Sequence, residues 1–158
     1  MKRSIYEIRC IVYDCRSALT GGIVAGIHVW EMAVIPMLLY NAETWQEMDK
    51  KTLQDLENLQ HEFLCTLHAV GSGCPIPVLL WETGTLMMEF RILQKKLLFL
   101  HHLANLPDNT LAKEVLCIQN KMGLPGIEQE CSEFLSRFGM YDLCLYSKEQ
   151  FKKSILRV

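Results

Sequence analysis

The fold class is decided by residues 53–67, whose sequence is L-Q-D-L-E-N-L-Q-H-E-F-L-C-T-L. The large apolar side chains recur every three or four residues, at Leu53, Leu56, Leu59, Phe63, Leu64 and Leu67. This spacing puts them on one face of an α-helix, opposite a polar and mostly acidic face. Asp49 or Thr52 is available as the N-cap, and residues 71–77, with two glycines and two prolines, form a turn after it. We therefore predict an amphipathic helix packed on a core.

Helical spacing continues through most of the chain. Further helices are predicted at residues 4–16, 24–35, 78–82, 86–106, 111–122 and 127–138, with a last basic helix at 147–156. Pro36 lacks an amide donor and disfavours helical geometry at Ile35, so we expect a kink or a restart before residues 38–45. Gly123 and Gly139 stand where glycine ends helices. No alternating run predicts a strand.

These patterns predict an all-α fold, a compact helical bundle of about six to eight helices. The 158 residues form one predicted domain, 1–158, in which residues 140–158 are a loosely packed basic tail. Half of the residues are apolar, which is enough to bury a core. Three aromatic residues follow apolar segments and are expected in that core rather than stacked on bases: Tyr40, Trp45 and Trp81.

Charge and cysteine content limit the classes of function. The formal net charge of −2 gives no global basic field, so contact with nucleic acid must be local. Seven cysteines without a repeating spacing indicate reduced thiols and an intracellular protein of the nucleus or cytoplasm. The longest apolar stretch, residues 23–40, is interrupted by His28, Glu31 and Pro36 and is predicted to be a buried helix rather than a membrane span.

The sequence offers no catalytic or metal site. Its aspartates are isolated from one another, whereas a catalytic pair of divalent ions needs closely placed carboxylates. His101 and His102 are adjacent and point to different faces of a helix. His61 and Cys65 share a face, but no third group is available to orient them, so a helix surface beside the core is favoured. We therefore predict no catalytic residue, no metal ligand and no small-molecule substrate.

The best local candidate for nucleic-acid binding is the helix at residues 86–106. Arg91, Lys95 and His102 are four and seven residues apart and share a face, so they can follow a run of phosphates. Lys96 completes the predicted nucleic-acid-binding set. The alternative is an ordinary solvated helix face. Residues 43–62 are predominantly acidic and should repel a phosphate backbone.

The chain resembles a known family along about residues 4–138. Its pattern is an apolar segment ending P-x-L-L-Y-x-x-E-x-W, a Leu/Phe helix, a Gly/Pro turn and W-E-T-G. The matching residues are Val34, Ile35, Pro36, Leu38, Leu39, Tyr40, Glu43, Trp45, Phe63, Leu64, Gly71, Pro75, Pro77, Trp81, Glu82 and Gly84. This resembles the region C-terminal to the polymerase palm in reverse transcriptases of non-LTR, LINE-like retrotransposons.

The resemblance implies a helical thumb-like or post-thumb region that supports an RNA/DNA primer-template duplex through phosphate contacts. The paired aspartates of the palm and their Mg²⁺ would belong to an upstream polymerase domain, so this chain alone is expected to need no cofactor and to have no RNA-directed DNA polymerase activity. The alternative is a helical protein–protein interaction module without nucleic-acid binding, in which the same helices present an apolar groove to a partner.

Overall fold

The computed structural model describes residues 22–45, 49–124, 126–137, 149–150 and 153. Its helices are α1 (Gly22–Val29), α2 (Ile35–Leu38), α3 (Lys50–Leu67), α4 (Ile76–Thr83), α5 (Met88–Ala104), α6 (Leu111–Met122) and α7 (Ile127–Arg137). A π-helix, Trp30–Val34, connects α1 to α2, and a 3-10 helix, Ala42–Thr44, follows. The described residues contain no strand, which confirms the all-α prediction. The predicted helix at 4–16, the cap at Gly139 and nearly all of the tail lie outside these residues.

The chain divides into two compact units. The first unit comprises Met1–Asn41 and Met48–Phe90, and the second comprises Ala42–Glu47 and Arg91–Val158. None of the helices in the described ranges is long and apolar enough to span a membrane.

The helix around Pro36 is interrupted by a π turn. The N–H of Ile35 donates to the carbonyl of Trp30, five residues back, and Ile35 keeps helical angles of φ −59° and ψ −46° although proline disfavours them there. The disruption expected at Pro36 thus takes the form of the π-helix, after which α-helical geometry begins again at Ile35. The chain then turns at Asn41, whose φ is 55°, and residues 42–44 form a 3-10 helix.

Helix α3 has a well-defined start. Asp49 is its N-cap: the Thr52 N–H donates to Asp49 Oδ1 at 2.8 Å, and the Thr52 hydroxyl donates to Oδ2 at 2.7 Å. These hydrogen bonds lower the pKa of the Asp49 carboxyl. Of the two predicted capping residues, Asp49 is the N-cap, and Thr52 donates both hydrogen bonds to its carboxylate.

The other end of α3 is tied to the turn at 71–77. His61 Nε2 lies 2.8 Å from the Cys74 carbonyl, and the Cys65 thiol donates to the Gly71 carbonyl at 3.7 Å. The two side chains do share a face, as predicted, and they bind turn backbone. Burial raises the pKa of the Cys65 thiol, as expected for an inert structural cysteine.

An aromatic stack forms the centre of the first unit. The Trp30 ring is fully buried and lies on Phe63 of α3, with ring centroids 4.3 Å apart and planes 13° from parallel. Five leucines of the same unit are also buried: Leu38, Leu39, Leu56, Leu59 and Leu64. Gln60 is also fully buried, and its amide donates to the Leu86 carbonyl at 2.8 Å. The predicted amphipathic face of α3 is therefore the core face.

Two of the aromatic residues assigned to the core lie on the surface. Trp81 is 89% exposed and Tyr40 is 73% exposed, so both predictions were wrong. Helix α4 has only eight residues and buries only Leu79 among them, which leaves Trp81 on the solvent side. Gly84 ends α4 in the left-handed conformation at φ 63°, which explains why the W-E-T-G segment has glycine there.

The helices of the second unit are residues 91–104 of α5, together with α6 and α7. Its core cluster contains Leu97, Leu100, Leu116, Cys131 and Leu135. The thiol of Cys131 is fully buried, and this burial raises its pKa to about 11. Gly123 ends α6 at φ 61°, as predicted for a glycine cap, and α6 has the predicted bounds.

Candidate nucleic-acid interface

Helix α5 positions all four of the predicted nucleic-acid-binding residues. Arg91 and Lys95 are partly exposed and His102 is exposed. All three residues lie within α5, and at 100° per residue their side chains fall within an arc of about 40° around the helix axis. They therefore share one face of the helix. We call Arg91, Lys95 and His102 the α5 face. It places the guanidinium group of Arg91, the ammonium group of Lys95 and the imidazole of His102 along about three turns of helix.

Lys96 lies elsewhere. It is only 7% exposed, and its ammonium group forms an ion pair with Glu130 of α7. One residue beyond Lys95, it sits about 100° around the helix from the α5 face. The ion pair balances the charge of a buried lysine, which would otherwise pay a large desolvation cost. In this structure Lys96 stabilises the contact between α5 and α7.

Lys95 has an acidic neighbour within the second unit. Its ammonium nitrogen lies 3.9 Å from Glu43 Oε2 on the 3-10 helix, a distance that allows electrostatic attraction and is too long for a hydrogen bond. The Glu43 oxygen is itself buried and accepts no hydrogen bond. Lys95 is thus attracted to Glu43 without being hydrogen-bonded to it.

The two histidines of α5 have separate environments, as their adjacency predicted. His101 is buried, and the Asn105 side-chain amide donates to its carbonyl at 2.9 Å, whereas His102 is exposed. Among the described residues, no group of three or more histidine, cysteine, aspartate or glutamate side chains is placed to hold a metal ion.

An open groove of about 1030 Å³ lies in the second unit between α5, α6 and α7. Its apolar walls are formed by Trp45, Phe99, Leu103, Leu111, Val115 and Ile127. Glu43, Lys96 and Glu130 add two negative charges and one positive charge to the lining. The groove is therefore a largely apolar cleft with a slight excess of negative charge.

Helix α6 also presents an apolar surface to solvent. Its exposed side chains form the outer stripe, defined as Leu111, Val115, Ile118 and Met122, which are 74%, 44%, 52% and 67% exposed. The opposite side of the helix buries Leu116 in the core cluster. Contiguous apolar surface of this kind marks contact sites for other molecules.

The protein-interaction alternative expected an apolar groove, but sequence reasoning did not locate it, and it missed the outer stripe and the exposed Trp81. The spacing of residues 111–122 predicted a helix, but periodicity alone does not tell which apolar side chains of that helix stay exposed. The short length of the segment between Pro77 and Gly84 was a usable signal for Trp81, because a two-turn helix seldom buries every apolar side chain.

Comparison of the chain with protein-family models, with curated proteins and with solved structures finds no match.

Proposed function

We propose that this chain is a catalytically inactive helical region derived from a retrotransposon reverse transcriptase, and that it supports a primer-template duplex by contacting phosphates. The supporting observation is the α5 face, on which Arg91, Lys95 and His102 point the same way along one helix. The sequence resemblance supplies the identity of the ligand as an RNA/DNA duplex. The proposed site of action is intracellular, in the nucleus or the cytoplasm.

Each residue of the α5 face has a distinct role in the proposed contact. Arg91 can donate two parallel hydrogen bonds to one phosphate, and Lys95 acts as a point charge that exchanges Glu43 for a phosphate. His102 can donate a hydrogen bond from its imidazole to a phosphate at the far end of the same face. Lys96 would have to leave Glu130 to reach a phosphate, so its part in binding is to position α5. Such contacts fix the register of a duplex and are independent of its sequence.

The test is duplex binding by paired charge-removal variants. Arg91→Gln with Lys95→Gln should weaken binding of an RNA–DNA hybrid by about tenfold, measured by fluorescence anisotropy at low salt, because two phosphate contacts are lost. The control, Lys50→Gln with Lys51→Gln, removes the same charge from exposed positions of α3 and should leave affinity unchanged. Lys96→Glu is unsuitable because it places a carboxylate against Glu130. Equal affinity of both double variants would reject the proposal.

The second candidate function is protein binding without nucleic-acid binding, and the groove favours it. A partner helix with apolar side chains would fill the cleft, and a lysine or arginine on that helix would pair with the buried Glu43 oxygen, which accepts no hydrogen bond. Apolar contact would supply the affinity and the charge pair would set the orientation.

A designed peptide distinguishes this candidate. An amphipathic probe helix with leucines at i, i+4 and i+7 and one lysine on the flank should bind the chain, and Ala112→Trp, which fills the groove from α6, should abolish that binding. Replacing the probe's lysine with glutamate should weaken binding of the probe to the natural chain. Under this candidate the chain does not bind the RNA–DNA hybrid, and an unchanged affinity of Ala112→Trp for the probe would reject the groove as the site.

A further inference from the structure

The outer stripe of α6 has a spacing that is the same from either end. Its four residues are separated by four, three and four positions, so Leu111 and Met122 are related about the middle of the helix in the same way as Val115 and Ile118. Two such helices laid antiparallel would therefore match every apolar side chain of one with an apolar side chain of the other. This alternation of four and three is the seam spacing of packed helix pairs.

Charged residues beside the outer stripe follow the same symmetry. Glu114 lies in the first turn of α6 and Lys121 in the last, and both are exposed. They are seven residues apart and so fall on one side of the stripe, about 20° from each other around the helix. In an antiparallel pair, Glu114 of each copy lies opposite Lys121 of the other, which gives two attractive contacts. A parallel pair gains neither of them.

We propose that the outer stripe binds a second copy of this chain, with the two α6 helices antiparallel about a two-fold axis. This inference deepens the protein-binding candidate by naming the partner. Leu111 and Val115 of the outer stripe also line the groove, whereas Ile118, Met122 and the flanking Glu114 and Lys121 do not, so these four residues distinguish the pairing from peptide binding in the groove. Two-fold pairing needs one surface that is complementary to itself, and both the apolar spacing and the charge order of α6 meet that requirement.

Four apolar side chains per copy make a small interface. Interfaces below about 1,200 Å² belong to weak and transient complexes, so we expect dissociation constants on the order of 10 µM or weaker. Antiparallel orientation also aligns the two helix dipoles favourably. The self-complementary charges determine which helices pair and in which direction, so charge exchange is the sharpest test of the geometry.

Sedimentation equilibrium of the full chain at low salt provides that test. Glu114→Lys should weaken self-association at least tenfold, because each copy then meets lysine with lysine, and Lys121→Glu should do the same with glutamates. An equimolar mixture of these two variants should associate about as tightly as the natural chain, since both flanking contacts of the mixed pair join a lysine to a glutamate. The double exchange, Glu114→Lys with Lys121→Glu, should restore self-association to within about threefold.

Matched controls keep the result decisive. Lys51→Glu reverses an exposed charge on α3 and should leave self-association unchanged, whereas Ile118→Ser removes a central stripe contact and should abolish it. Far-UV circular dichroism verifies that each variant keeps its helices. A chain that stays monomeric, or association that the single reversals do not weaken, overturns the proposal. In the second case self-association uses another surface. Because Glu114, Ile118 and Lys121 do not line the groove, failure of the natural chain to bind the probe peptide would contradict the groove candidate and not the pairing of the α6 helices.

Discussion

The first unit keeps two stacked aromatic rings at its centre, and the second keeps a lysine–glutamate pair beside a cluster of leucines and a thiol. Trp30 and Phe63 are buried because large apolar surfaces leave water. Lys96 is buried because Glu130 compensates its charge. Hydrophobic periodicity in the sequence therefore predicts an interior of apolar side chains. An interior that contains an ion pair depends on which charged side chains meet in space.

The largest effect is expected from truncating the aromatic stack. Trp30→Ala should lower the free energy of unfolding by about 3–5 kcal/mol, because it leaves a large cavity against Phe63. Trp81→Ala makes the same substitution at a residue that is 89% exposed and should cost less than about 0.5 kcal/mol. Urea denaturation measures both. Comparable losses for the two variants would show that the stack does not anchor the first unit.

The thiol within the second unit should be chemically protected. A pKa of about 11 leaves Cys131 on the order of a hundredfold less thiolate at pH 8 than an unperturbed cysteine has. Alkylation followed by mass spectrometry should therefore modify the exposed Cys117 long before Cys131. Equal rates for the two thiols would contradict the buried position of Cys131.

Stability should also depend on this thiol in alkaline solution. The unfolded chain loses the Cys131 proton at a lower pH than the folded chain does, so the contribution to stability is complete below about pH 8.5 and is lost as the pH rises towards 11. Cys131→Ala should remove that part of the pH dependence. Parallel stability curves for the two proteins between these pH values would refute the assignment.

A smaller effect is expected at the ion pair. Glu130→Gln should cost about 1–3 kcal/mol, since it leaves the Lys96 ammonium group buried without its counter-charge. Adding Lys96→Met should recover most of the loss, because a neutral side chain of similar length then fills the site. Lys51→Met, at an exposed position of α3, should stay within about 0.5 kcal/mol of the natural chain. Additive losses in the double-mutant cycle would mean that the two charges are independent.

The smallest effect is expected at the start of α3. Asp49→Ala should destabilise the first unit modestly because the Thr52 N–H loses its acceptor, whereas Asp49→Asn keeps a capping oxygen. The hydrogen bonds lower the Asp49 pKa, so its stabilising effect is present above about pH 4 and is lost as the pH falls through the folded-state pKa. Asp49→Asn should lose this acid dependence in thermal melts. An acid transition identical to that of the natural chain would exclude a stabilising charge.

The sequence predicted helices better than it predicted surfaces. The bounds of α6 and the Asp49 cap follow from local rules, because turns, caps and periodicity act within a few residues. The exposure of Trp81, the pairing of Lys96 with Glu130 and the groove depend on contacts between segments far apart in sequence, to which those rules do not apply. Proline's local preference predicted a disruption before residue 38 but not its form, a π turn in which Ile35 keeps helical angles.

The most direct test of the proposed function is the salt dependence of binding to an RNA–DNA hybrid. With Arg91 and Lys95 each neutralising one phosphate, the logarithm of the association constant should fall against the logarithm of salt concentration with a slope of about −2. Arg91→Gln with Lys95→Gln should bring that slope close to zero. A slope near zero for the natural chain, or a slope that this double variant leaves unchanged, would contradict phosphate binding by the α5 face.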